Sequence, residues 1–424
     1  MDTIFALASG SPPSAIAVVR ISGRAAGATL SALAGKLPVP RRATLAQLRN
    51  SRGEELDRAL VLWFPGPASA TGEDLAELHL HGGRAMIAAV EAELGAKDGL
   101  RRARPGEFTR RAFVNGRIDL AEAEGLADLL SAETEIQRRA ALANAGGILS
   151  RQVERWRDQV LVLSAEVEAV LDFADEDDLG ALPDSFGPRV EAVLAEIAAT
   201  LEAPAAELLR EGYRVALAGP PNAGKSTLFN ALVADEAAIT AAIPGTTRDV
   251  LTRPVALGGV PFLFVDMAGL REQGADAIEM LGIARAEAEI DRADLVLWLG
   301  EEGHGPDRAW EIEAQSDRRD HSKKVCPKYS VSALTGGGMD ALKLGLIEHA
   351  RSAMPRPGQG TLSQRQRAIL HEAYSSLCEA ASERDPLCQA EALRVARLSF
   401  DRLVGRSSTE DMLDALFGRF CIGK

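Results

Sequence analysis

Apolar and polar positions change rhythm several times along this chain. In residues 1–118 short β-like runs, Ala15-Ile-Ala-Val-Val19 and Ala59-Leu-Val-Leu-Trp63, mix with helical spacing over Arg84 to Leu94, which predicts a compact α+β domain. From Asp119 through Leu179 the spacing is helical, with Leu126, Leu129 and Leu130 and later Val160, Leu163, Val167, Val170 and Leu171 recurring every three or four residues. A second helix is predicted over Pro188 to Leu209, ending at Glu211-Gly212. Buried-strand runs at Tyr213–Ala218, Phe262–Val265 and Leu295–Trp298, with a helical run at Thr227–Val233, then mark an α/β module. Beyond the linker-like Pro355-Arg-Pro-Gly-Gln-Gly360, helical periodicity resumes from Ser363 to Phe420, with Ser408-x-x-Asp411 as a helix start. Two helical stretches flanking one α/β module read as a discontinuous helical domain, 119–210 with 352–424, carrying an inserted module at 211–351.

Composition narrows this multidomain α+β and α/β reading. A chain of 424 residues has room for about three domains. Apolar residues make up 46% but aromatics only 4%, which fits an alanine- and leucine-rich, largely helical protein. A net charge of −13 excludes general nucleic-acid coating, so any RNA contact must use a local patch or a partner. Met1-Asp2 has no basic leader after it and no apolar run is long enough to span a bilayer, so a cytoplasmic, non-membrane protein is expected. Cys326, Cys378, Cys388 and Cys421 lack metal or disulfide spacing and read as reduced thiols.

The chemistry is concentrated in the module. Gly219-Pro-Pro-Asn-Ala-Gly-Lys-Ser226 satisfies G-x-x-x-x-G-K-[ST] between a strand and a helix. Backbone N–H groups of Asn222, Ala223, Gly224 and Thr227 would cradle phosphates, Lys225 would reach the outer phosphates, and Ser226 would hold Mg²⁺. Gly245-Thr-Thr-Arg-Asp249 supplies switch threonines, Thr246 and Thr247, the latter for Mg²⁺. Asp266-Met-Ala-Gly269 follows a strand as a D-x-x-G loop, with Asp266 toward Mg²⁺ and the Gly269 N–H toward the γ-phosphate. Val331-Ser-Ala-Leu334 places Ser332 and Ala333 as a guanine-touching loop. This order defines a Ras-like GTPase binding GTP and GDP. One part departs from the pattern: no N-K-x-D lies between Asp266 and Ser332, and Ala314-Gln-Ser-Asp317 keeps only Asp317 for the guanine edge. The stretch from Trp298 to Trp310 is also too short for a full crossover helix. Weak nucleotide binding with guanine still preferred is expected.

With Gly72-Glu-Asp-Leu-Ala-Glu-Leu-His-Leu-His-Gly-Gly83, Ala103-Arg-Pro-Gly-Glu-Phe-Thr through Ile-Asp-Leu120, and Phe420-Cys-Ile-Gly-Lys424, the chain resembles the MnmE (TrmE) family of tRNA-modifying GTPases over nearly its whole length. The resemblance implies an N-terminal domain that dimerises and binds a one-carbon tetrahydrofolate in its 5,10-methylene or 5-formyl form, giving a homodimer. It also implies an FAD-dependent partner, MnmG, and an aminomethyl-type modification of C5 of the wobble uridine in certain tRNAs. Arg20, Glu77, Arg117 and Lys424 fall at folate-contacting positions, where a glutamate tail suits cations and a pterin edge suits a carboxylate. The resemblance further implies that K⁺ takes the place of an arginine finger, held by Asn222 with Ala241, Ile243 and Thr246. It likewise implies that Glu279 orients the attacking water and that Cys421 serves the modification near the folate.

Other features stay open. Arg248 is either functional or a structural ion pair. Arg101-Arg-Ala-Arg104 with Arg110 and Arg111 reads as a tRNA contact or equally as a solvated loop. His79 and His81 alternate on a strand with no third ligand at metal spacing and read as pocket lining or packing. A ribosome-assembly-type GTPase and a weakly hydrolysing scaffold compete with the modification reading; the first lacks a basic flank and the second conflicts with the intact phosphate-site residues.

Overall fold

The alternation in the first hundred residues becomes a six-stranded sheet in the computed structural model, which describes residues 2–172, 182–202, 206–234, 251–267, 287–318, 323–355, 360–407 and 409–423. Its elements are β1 (Thr3–Leu7), β2 (Ser14–Ser22), α1 (Ala26–Ala34), β3 (Thr44–Arg49), β4 (Glu55–Phe64), β5 (Leu75–Gly82), α2 (Arg84–Gly95), β6 (Leu100–Arg102) and α3 (Glu107–Val114). The strand order is β3-β4-β5-β2-β1-β6. Val19, Ile21, Val61, Leu78 and Leu80 face α1 and α2, where Leu30, Leu33, Ile87, Val90 and Leu94 close the core. The two-residue period leaves the opposite face to Val18, Arg20, Glu77, His79 and Leu60.

Helices follow: α4 (Leu120–Ser131), α5 (Glu135–Ala145), α6 (Ile148–Asp172), α7 (Phe186–Leu201) and α8 (Ala206–Glu211). The expected helix through Leu179 is thus three helices as far as Asp172, with residues beyond it outside the described ones. Thr134 and Gln137 form a capping box that restarts the chain at α5. The single helix expected over Pro188–Leu209 is instead α7 and α8, with α7 closing at Glu202. The module then runs β7 (Tyr213–Ala218), α9 (Lys225–Val233), β8 (Leu251–Leu257), β9 (Val260–Asp266), β10 (Leu295–Trp298), β11 (Trp310–Glu313), β12 (Tyr329–Ser330) and α10 (Met339–Ala353). Last come α11 (Gln364–Ser382), opened by a Ser363–Gln366 capping box, α12 (Pro386–Val404) and α13 (Glu410–Phe417). Thr409 caps α13 with no side-chain capping bond, and the Ser408 of the expected helix start lies outside the described residues.

By contacts the chain divides into two units, one of residues 1–127, 150–155 and 397–424 and one of 128–149 and 156–396. In the second unit the sheet order is β12-β11-β10-β7-β9-β8, parallel except for β8. β7 lies at its centre, and Val215, Ala216 and Leu217 are fully buried, as a strand covered on both faces requires. β11 differs: Trp310 and Ile312 face α10 in the core, whereas Glu311 and Glu313 alternate with them as half-buried positions. Residues 299–309 run as turns folded on Trp298, whose indole N–H donates to the Glu301 carbonyl at 2.8 Å. Glu311 accepts from the Gly303 N–H at 3.0 Å and from Lys324, pinning two loops where crossover helices usually lie. The chain on either side of the module is stitched together: the Ala206 N–H donates to the Leu362 carbonyl at 3.0 Å, and the Gln364 N–H to Glu207 Oε1 at 2.7 Å.

In the first unit the buried Arg111 guanidinium is the hub of an ion network. It donates to Glu73 and Asp2 carboxylates at 2.9 Å each and to Glu107 at 3.2 Å, besides the Asp2 carbonyl at 2.8 Å. Burial pushes the Glu107 carboxyl up, but hydrogen bonds from Arg101, the Arg104 N–H and Arg111 outweigh it and hold it below its ordinary value. A carboxyl lowered on folding adds stability that is present above its unfolded pKa and lost as pH falls through the folded one. Glu107→Gln is therefore expected to cost about 1–3 kcal/mol at pH 7. It should also flatten the loss of stability below the ordinary glutamate value of 4.5. Urea unfolding at pH 7, 5, 4 and 3 checks this; parallel wild-type and variant curves would refute the network's role.

Candidate nucleotide site

The phosphate loop leaves β7 at Ala218 and enters α9 at Lys225, so the α9 N-terminus faces the loop's concavity. Gly224 caps α9 with φ 91°, a left-handed conformation, and Asn222 also turns left-handed at φ 63°. The successive N–H groups therefore curl inward, as anion cradling needs. Lys225, buried, lays its ammonium across the loop, donating to the Gly219 carbonyl at 3.0 Å and that of Pro220 at 2.7 Å. Asp266 ends β9 beside β7, paired with Leu217 and 2% exposed. Ser226 stands exposed on the first turn of α9.

The structure brings the loops expected to read the base to the same place. A pocket of about 230 Å³ is lined by Gly224, Thr227 and Leu228 from α9, by Ala314, Gln315 and Asp317 after β11, and by Val331, Ala333 and Leu334 after β12. Ser332, buried, donates its hydroxyl to Asp317 Oδ1 at 2.6 Å and accepts the Thr335 N–H at 3.1 Å, which aims the carboxylate. Sequence reasoning left Gln315 without a task. Its side-chain amide donates to the Asn222 carbonyl at 3.1 Å, tying the base loop to the phosphate loop. No motif marks a glutamine for this, so only the juxtaposition reveals it. Thr246, Thr247, Arg248, Ala241, Ile243, Gly269, Glu279 and Lys424 lie outside the described residues.

On the N-terminal sheet Arg20 and Glu77 are cross-strand partners joined at 2.8 Å, with the guanidinium 5.9 Å over the Phe108 ring and His79 3.4 Å from the other carboxylate oxygen. Arg117 is exposed beside Gly72, three residues before β5. His81 donates its N–H to Asp57 at 2.9 Å and shares a 2.8 Å ring contact with it. Burial raises the Asp57 carboxyl, yet bonds from the His81 ring, the His81 N–H and the Arg58 N–H bring it below its ordinary value. His81 thus has a structural partner, and no group of metal-ligating side chains occurs among the described residues. The arginine-rich stretch, read as a tRNA contact or a solvated loop, is largely ion-paired: Arg101 with Asp2 and Glu107, Arg102 with Glu91, Arg110 with Glu410 and Asp414, and Arg111 as described. Asp2, Glu410 and Asp414 come to it from far along the chain, and Glu107 from within the stretch. Cys421 is exposed, and the tail after it packs on β1, where any Cβ on Gly423 would meet the Leu7 carbonyl at 2.0 Å.

A sheet of this order, with a phosphate loop at its central strand and a base pocket beside it, defines a P-loop GTPase. The MnmE helical domain model matches residues 120–421, and the model for the GTP-binding protein TrmE N-terminus matches 3–117. The chain belongs to the MnmE family of tRNA modification GTPases. Proteins named tRNA modification GTPase MnmE are 62% identical in Novosphingobium aromaticivorans and 60% in Erythrobacter litoralis, each over 100% of both chains. That of Rhizorhabdus wittichii is 56% identical over 100% of this chain and 97% of its own. Among solved structures, the G domain of the T. maritima FeoB iron transporter matches 32% of this chain and 98% of its own at 25% identity, with a TM-score of 0.24, too low to bear on the fold.

Asp317→Asn puts a donor where guanine presents its own N–H groups. GTP affinity should fall roughly ten- to hundredfold while xanthosine triphosphate gains. Competition of GTP, XTP and ATP for a fluorescent guanine nucleotide measures this, and an unchanged order of potency would remove Asp317 from base reading.

Proposed function

We propose that this chain is a potassium-activated GTPase that, with an FAD-dependent MnmG partner, uses a one-carbon tetrahydrofolate to build a carboxymethylaminomethyl group on C5 of wobble uridine in certain tRNAs. The observation that carries the reading is end-to-end correspondence, 62% identity over 100% of both chains, with a relative named for tRNA modification. We read the chain as a homodimer of three domains, 1–118, 119–210 with 352–424, and 211–351, working in the cytoplasm. None of the described helices is long and apolar enough to cross a membrane.

For hydrolysis, this chain binds and orients. The α9 N-terminus and the left-handed turn at Asn222 receive phosphate oxygens, and Lys225 exchanges its loop carbonyls for the outer phosphates. Ser226 and Asp266 fit Mg²⁺, being oxygen donors on the first turn of α9 and at the end of β9 beside β7; Thr247 would join them, and the ion would neutralise phosphate charge. Asn222 would hold K⁺ together with Ala241, Ile243 and Thr246, and Glu279 would orient the water. Replacing K⁺ by Na⁺ should slow GTP hydrolysis at least tenfold, and Asn222→Ala should erase that difference. Equal wild-type rates in the two salts would exclude potassium activation.

For the folate, the half-buried Arg20–Glu77 pair over Phe108 combines a cation, a carboxylate and a ring face, a donor set that suits a pterin edge and an acidic tail. Arg117 and Lys424 supply further cations, and Cys421 acts beside the bound one-carbon unit. Homodimer formation through this face is supported by its exposed apolar row: Leu45 pairs with Leu60, and Leu60 with His79 across the strands. Mass spectrometry of wobble uridine from a deletion strain carrying Glu77→Ala tests the function. We expect the modification to be lost and tetrahydrofolate binding by calorimetry to weaken roughly tenfold or more, since a charge-assisted bond goes and Arg20 loses its partner. Full modification in the deletion strain itself would favour a ribosome-assembly role.

A further inference from the structure

Ala314-Gln-Ser-Asp317 keeps the base-reading aspartate but has neither the asparagine that normally ties this loop to its neighbours nor the lysine that normally covers the base. The loop is nevertheless anchored. Gln315 turns left-handed at φ 58° and sends its side chain to the phosphate loop, where the amide donates to the Asn222 carbonyl at 3.1 Å. Its stem lies over Gly224: a Cβ there would stand 3.1 Å from Nε2 and 3.3 Å from Cγ. On the other side its Oε1 accepts from the Arg318 guanidinium at 3.1 Å, which fixes the orientation of the amide. The backbone runs on through the Ser316 N–H to the Val331 carbonyl at 3.1 Å, one residue before Ser332, which holds Asp317. Gln315 is thus the side chain that joins the base side of the pocket to the phosphate side.

We propose that Gln315 is the positioning residue for nucleotide retention in this chain, performing with one amide the loop tie lost with the asparagine and lysine. It acts through the loops and leaves base choice to Asp317. The proposal rests on the nucleotide reading of this pocket and adds what holds the pocket closed on its ligand. A bond between two loops that both contact the ligand is broken before the ligand leaves, so its loss raises the dissociation rate and spares association. It also binds the Asn222 carbonyl, fixing the left-handed turn that presents the phosphate-loop N–H groups.

The test is stopped-flow chase of a fluorescent GDP analogue from the full-length protein. Gln315→Glu keeps the shape, removes the donor and sets a carboxylate against the Asn222 carbonyl; its dissociation should be about tenfold faster, with association within about twofold and the preference for GTP over ATP unchanged. Gln315→Lys restores a donor on a longer stem and should recover most of the residence time lost in Gln315→Glu. A Gln315→Glu variant that releases nucleotide at the wild-type rate would overturn the proposal, because packing alone would then suffice. So would loss of the GTP-over-ATP preference, since Gln315 would then read the base itself. Lys225→Ala separates the two levels: if it leaves nucleotide binding intact, the pocket's nucleotide reading fails, whereas loss there with no Gln315 effect overturns only the tie.

Discussion

The burial of β7 is the constraint on which the nucleotide module depends. Lying between β9 and β10, it must be apolar on both faces, and it must stop where its last carbonyls can turn toward a helix. Tyr213–Ala218 meets both demands, and the placement of the phosphate loop follows from where it ends. Asp266 reaches the loop because β9 runs parallel to β7 in register, with Leu217 opposite Asp266. The base loops reach it because β11 and β12 end on the same edge. In a parallel sheet every strand delivers its C-terminal end to one side, so residues far apart in sequence meet there.

The far side of the same sheet shows economy of a different kind. The β10–β11 crossover is reduced to turns, and a parallel sheet with less helical cover must find polar residues for the bared face. β11 provides them by alternating Trp310 and Ile312 with Glu311 and Glu313. Glu311 then holds the replacement loops through Gly303 and Lys324. The shortened base loop belongs to this reduction, and Gln315 answers the same need for anchorage by a side chain instead of a helix.

In the first unit charge does the organising. Arg111 is among the most buried cations and gathers carboxylates from the chain start, the turn before β5 and its own helix. Burying a guanidinium is tolerable only with such partners. The same helix α3 is tied to α13 by Arg110 through Glu410 and Asp414, which places the segment leading to Cys421. The acidic balance of the chain thus has a local use, neutralising the one stretch that looked basic.

By itself the sequence determined the periodic elements and the phosphate loop. Strand burial, helical spacing and the glycine-lysine signature are local properties, set by residues that are neighbours along the chain. Tyr213–Ala218, Arg84–Leu94 and Gly219–Ser226 were legible for that reason. Element ends were less so: the long run after Asp119 breaks where the Thr134–Gln137 capping box outweighs an unbroken apolar spacing, and the run from Pro188 closes at Glu202. Asp317 stood out by its spacing as a candidate base reader, but its orientation depends on Ser332, which only the sheet brings within 2.6 Å. Gln315 was read as a missing lysine and the arginine stretch as exposed charge, since neither Asn222 nor Glu410 is a sequence neighbour. Tertiary structure decided these, because a hydrogen bond or ion pair depends on distance in space, and distance in space between remote residues is created only by folding.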